Sequence, residues 1–81
     1  MPKQSSNILY GRVINITRIY LGPAADRFID RQVRNHLQKD PDRLVKGDLV
    51  DLIDWVRVAM GYITEDDRLT DEYISRLKVL Q

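Results

Sequence analysis

The chain contains no cysteine. A disulfide framework, the usual staple of a secreted domain this small, is therefore excluded, and so is a thiolate metal site. Histidine occurs once, at position 36, which leaves no His-Glu-x-x-His pair and no second imidazole for a metal. No apolar run approaches the ~20 residues needed to cross a bilayer. Residues Met1 to Asn7 carry neither the apolar core nor the small-residue cleavage site of a signal peptide. A cytoplasmic protein without a membrane segment is the expectation. Glycine and proline are scarce, at four and three residues, which excludes collagen-like and low-complexity sequence. An excess of either charge is also missing, since 13 Lys and Arg against 12 Asp and Glu leave a net charge of +1. A general nucleic-acid binder is expected to be basic overall, so any electrostatic role here must rest on how the charges are distributed.

What is present is the composition of one small globular domain: 81 residues, 43% hydrophobic and 31% charged. A chain of this size buries only roughly 60% of the surface it exposes when unfolded, so its stability margin is thin.

Residues 1–6 read as a flexible tail, and residues 7–81 as a single helical domain. Asn7 suits the N-cap of a segment from Ile8 to about Leu21. Leu9, Val13, Ile16 and Tyr20 share one face of that segment at 100° per residue, with Ile14 and Leu21 broadening it. The β-branched residues Val13, Ile14, Ile16, Thr17 and Ile19 would also suit a strand. No second strand-like run exists to pair with it, so a helix is expected. Gly22-Pro23 then punctuates the chain, and Pro23 fits the first turn of a second helix reaching about Lys39. Its apolar face is Ala25, Phe28, Ile29, Val33 and Leu37, and Asp40-Pro41-Asp42 ends it.

Asp48 opens a third helix ending near Tyr62 or Ile63. Leu49, Leu52, Ile53, Val56, Met60 and Ile63 form its core face, with Ala59 at the border. Thr70 is expected to cap a last short helix that buries Tyr73, Ile74, Leu77 and Leu80, with Asp71 and Glu72 in its first turn. The fold class is all-α, a compact bundle of about four helices joined by short loops.

Candidates for chemistry lack partners. His36 falls within the apolar arc of the second helix and reads as a partly buried structural residue, because a catalytic histidine needs an orienting and a reacting group. Asp66 and Asp67 lack the alternating ligands and central glycine of a calcium loop and read as a solvated acidic turn. Gly47 and Gly61 stand alone, so there is no phosphate-cradling loop. The expectation is a protein that is not an enzyme and uses no metal or cofactor.

Two surfaces suit binding. Arg27, Arg31 and Arg34 fall within about 60° of one another on the second helix, almost opposite its apolar face. Such a stripe matches phosphates or an acidic protein surface, or is simply a solvated helix face. On the third helix, Trp55, Val58 and Tyr62 cluster around Asp51, away from the core face, with Asp48, Asp51 and Asp54 as an acidic rim. Trp and Tyr are favoured interface anchors, although the same residues would serve a core if the helix were central. A basic second helix and an acidic third helix also suggest association of the chain with itself.

Tyr20-Leu21-Gly22-Pro23-Ala24-Ala25, followed by Phe28-Ile29 and Arg31, resembles the opening of a small helical domain of uncharacterised function. That domain is appended to bacterial signalling proteins, including Ser/Thr kinases and response-regulator-type chains. Asp40-Pro41-Asp42-Arg43-Leu44 and Asp48-Leu49-Val50-Asp51-Leu52 stand where its later elements would fall. The resemblance spans residues 16–60 and implies an accessory or interaction module, with no site residues to carry over. The function expected is a non-catalytic protein–protein interaction module in bacterial signalling or regulation. Its contact surface is the third helix at Asp51, Trp55, Val58 and Tyr62, and its partner is another protein or a second copy. The alternative is a nucleic-acid or phospholigand binder using Arg27, Arg31 and Arg34.

Overall fold

A computed structural model of the chain describes residues 7–81, and the expected tail over residues 1–6 lies outside the described residues. Among the described residues every regular element is helical and none is a strand. The first helix, α1, spans Ile8–Leu21. Asn7 caps it as expected, its Oδ1 accepting from the Tyr10 N–H at 2.9 Å. The other end of the Asn7 side chain reaches across the fold. Its Nδ2 donates to the carbonyl oxygens of Leu44 at 2.8 Å, Asp42 at 3.0 Å and Pro41 at 3.2 Å.

The β-branched run of α1 is helical because the helix has somewhere to bury most of it, Ile19 being the exposed member. Val13 and Ile14 enter the core, and Thr17, in the middle of the same arc, is completely buried. The Thr17 hydroxyl donates to the Val13 carbonyl one turn back at 2.8 Å. It also lies 2.6 Å from the Tyr73 hydroxyl, which is equally buried. With the Thr17 proton directed to Val13, Tyr73 is the donor of that second bond.

Gly22 ends α1 at φ 58°, a left-handed backbone that glycine adopts without the Cβ penalty. The expected second helix, Pro23 to Lys39, is not one regular helix. A 3₁₀ turn over Gly22–Ala24 leads into an α-helical stretch, α2, of Ala25–Gln32. The chain then widens into a π turn over Val33–Leu37 and stops at Gln38, φ 55°. Bonding i→i+5 adds roughly one residue to the turn and rotates the later side chains away from their places on an ideal wheel. His36 therefore leaves the apolar arc and is exposed, contrary to the partly buried position expected of it.

Two 3₁₀ turns, Pro41–Arg43 and Lys46–Asp48, connect to α3, Leu49–Ile63. Leu49, Leu52, Ile53, Val56 and Met60 are buried as expected, whereas Ile63 is exposed at the end of the helix. The last helix, α4, spans Asp67–Lys78 and starts before the expected cap, Thr70. Asp66 is the cap instead: its Oδ1 accepts from the N–H groups of Arg68 and Leu69, both at 3.1 Å. That is the role of the acidic turn in this fold, and it adds a full turn to the helix.

One core joins the elements. Val13 and Ile14 of α1, Ile29 and Val33 of the second segment, the inner face of α3 and Tyr73, Ile74 and Leu77 of α4 meet in a single cluster. Leu44, from the connection that Asn7 holds, completes it. The radius of gyration, 11.9 Å, agrees with the roughly 12 Å of a well-packed domain of this length.

The buried hydroxyl pair makes the fold sensitive in an asymmetric way. Thr17→Val strands the Tyr73 hydroxyl without a partner and is expected to cost about 1–3 kcal/mol in urea unfolding. Adding Tyr73→Phe removes the stranded group, so the double variant should regain most of that loss. A double variant that is the sum of two large losses would refute the pairing. Alkali probes the same region. Burial pushes the Tyr73 hydroxyl up to about 12, against the pull of the Thr17 hydrogen bond. Burial, aided by Asp30 and Asp26, does the same for Tyr10. Both phenols ionise near 10 in the unfolded chain. Their contribution is therefore complete below about pH 10 and is lost as the pH rises from about 10 to 12. Melting temperatures should fall across that window, and less steeply for Tyr73→Phe.

Candidate interaction surface

The side of α3 turned away from the core carries Asp51, Trp55, Val58 and Tyr62, spaced four, three and four residues apart along one strip. All four are exposed. Trp55 is 40% exposed, Val58 54% and Tyr62 89%, so none of the three is a core residue. The choice between core and surface that the sequence left open falls on the surface side.

Trp55 is not loose. The His36 ring stacks on it, with centroids 3.9 Å apart and planes 8° from parallel. The π turn places this histidine beside α3, so one face of the indole is held by protein while the residue stays partly open to solvent. Sequence reasoning missed this pair. A wheel places position 36 only on its own helix, and an imidazole and an indole on adjacent segments do not by themselves specify contact.

The expected acidic rim is smaller than three residues. Asp48 is half-buried and accepts from Lys39 Nζ at 2.7 Å and from the Val45 N–H at 3.0 Å. Burial raises its pKa, but these hydrogen bonds outweigh it and hold the carboxyl below its usual range. Asp51 and Asp54 have no ion-pair partner among the described residues.

The basic stripe is also divided. Arg34 bonds Asp30 at 2.8 Å and Asp40 at 3.2 Å, so its charge is satisfied locally. Arg27 and Arg31 are exposed and have no carboxylate partner among the described residues. They do not stand apart from the α3 strip. Both border an open groove of about 680 Å³ whose opposite wall is Ala59, Tyr62 and Ile63, with Phe28 and Gln32 between. Asp26 on its rim is held in a bidentate pair by Arg18 at 2.9 and 3.0 Å. The two surfaces read separately from the sequence thus meet at the C-terminal half of α3. Asp51, Trp55 and Val58 lie further along the same strip, outside the groove, which Tyr62 alone of the four lines.

Among the described residues, no three His, Asp or Glu side chains are grouped to hold a metal ion, and no helix is long and apolar enough to cross a membrane. Comparison with family models, with curated proteins and with solved structures gives no match.

If Trp55 and Tyr62 belong to the surface, trimming them should spare the fold. Tyr62→Ala is expected to change stability by no more than about 0.5 kcal/mol. Trp55→Ala, which also loses the imidazole stack, should cost about 1 kcal/mol. Met60→Ala, midway between Val58 and Tyr62 in sequence but fully buried on the other side of the helix, should cost about 2–5 kcal/mol. Equal losses for the three in chemical denaturation would put the strip in the core.

Proposed function

We propose that this chain, a bundle of about four helices, is a non-catalytic protein–protein interaction module that meets its partner through the outer strip of α3. The observation that carries the reading is the exposed row of Trp55, Val58 and Tyr62 running into the groove beside Arg27 and Arg31. Scattered apolar side chains on a surface mean little, but an aromatic row continuous with a groove is a feature of binding sites. Tryptophan and tyrosine supply large contact areas with few torsions to immobilise. The indole is further pre-positioned by His36. A π turn beside such a strip also fits the reading, since these costly irregularities concentrate at functional positions.

The resemblance of residues 16–60 to a domain appended to bacterial signalling proteins makes signalling or regulation in the cytoplasm the setting we propose. Nucleic-acid or phospholigand binding by the arginine stripe is less well supported, because Arg34 is engaged by two carboxylates and the net charge is only +1.

Photo-crosslinking in cells tests the proposal. A photoreactive residue at Val58 should give covalent adducts with protein, whereas one at Ser75, exposed on α4, should give few. Equal yields at the two positions, or none at either, would count against the α3 strip as the contact surface.

A further inference from the structure

The strip is self-complementary in charge. Toward the N-terminal end of α3 it offers two carboxylates, Asp51 and Asp54. At its centre lie Trp55 and Val58. At the far end the groove offers two guanidiniums, Arg27 and Arg31, beside Tyr62. None of the four charged groups has an ion-pair partner among the described residues, although most other charges near them do. From Asp51 to Tyr62 the strip is about 16–17 Å long at 1.5 Å per residue.

We infer that the occupant of this strip is a second copy of the chain, bound through a two-fold axis that sets the two α3 helices antiparallel. This rests on the reading of the strip as an interaction surface. A two-fold axis near the middle of the strip lays the carboxylate end of each copy over the arginine end of the other. Each carboxylate–guanidinium contact then occurs twice, as an isologous interface requires. Trp55 and Val58 occupy the centre, where an anchor is best shielded from water, and the charged pairs form the rim. A parallel arrangement would instead oppose carboxylate to carboxylate and arginine to arginine. The spacing of Asp51, Trp55, Val58 and Tyr62 is also the alternation of four and three by which two packed helices of either relative direction keep a seam in contact, and the charges choose the antiparallel one. An acidic helix from another protein would satisfy the arginines but leave Asp51 and Asp54 without an answering charge.

Sedimentation equilibrium on the intact chain tests the inference. The wild type should pass from 9.5 kDa to twice that mass as its concentration rises over roughly 10 µM to 1 mM. Two charge variants, Arg27→Glu with Arg31→Glu and Asp51→Arg with Asp54→Arg, probe the rim. Each alone should associate at least about tenfold more weakly than the wild type, while an equimolar mixture should form a mixed dimer. Val58→Glu in either member should abolish that mixed dimer, which separates docking on the strip from general attraction between opposite charges. Circular dichroism confirms that each variant is folded.

A wild type that stays monomeric to ~1 mM, or a mixed dimer indifferent to Val58→Glu, overturns the second copy as occupant. The crosslink at Val58 then separates the two readings. An adduct with a chain of different mass leaves the interaction surface standing with another protein as its partner. The absence of any adduct removes both.

Discussion

The arrangement of this molecule depends on the burial of one phenol. Tyr73 is among the largest of the fully buried side chains, and its hydroxyl goes into the core with it. A buried hydroxyl without a partner costs more than a hydrogen bond returns, so α4 docks only where a partner exists. Thr17 supplies it from the middle of α1 and donates its own O–H to the Val13 carbonyl. The pair fixes the register of α4 against α1. Tyr20, whose ring lies 5.0 Å from that of Tyr73, extends the contact to the surface, where its hydroxyl donates to Glu72 at 2.7 Å. With α1 and α4 so joined, the buried face of α3 closes the core, and its outer face is left to solvent.

The helical class of the fold and most of the core were legible in the pattern of apolar residues. The arcs on α1, α3 and α4 that contain Val13, Leu52, Val56, Met60 and Leu77 are the ones buried. Thr17 escapes such a pattern because a hydroxyl does not count in an apolar arc, yet it occupies the centre of one. The start of α4 is ambiguous in sequence because Thr70 and Asp66 are both acceptable caps, and only backbone geometry chooses between them. The second helix departs from expectation for a different reason. A helical wheel assumes 100° per residue, and the π turn over Val33–Leu37 breaks that assumption just before His36.

The surface was legible in its parts and not in their relation. Arg27 and Arg31 can be assigned to an outer face and Tyr62 only to a side of its helix away from the core face, because a wheel treats one helix at a time. Contact between helices decides that the start of α2 lies beside the end of α3, while His36 at the other end of that segment meets Trp55. Pairings of individual charges were equally hidden. Nothing in the spacing of the arginines separates Arg34, which two carboxylates engage, from Arg27 and Arg31. The strip and the groove are products of packing, built from residues whose places on their own helices alone are encoded locally.

Asn7 joins two distant parts of the chain through a single amide. One atom caps α1, while another holds carbonyls 34 to 37 residues further on. A helix of 14 residues is marginal by itself in water, and its first turn is where it frays. Departure of this one side chain would break both sets of bonds, so fraying of the first turn and loosening of the connection are coupled. The connection keeps its own turn bonds, from the Arg43 N–H to the Asp40 carbonyl and from the Leu44 N–H to the Pro41 carbonyl, and the buried side chains of Pro41 and Leu44. Opening of either segment thus makes opening of the other easier by what the shared amide contributes, and two segments far apart in sequence feel each other through one side chain.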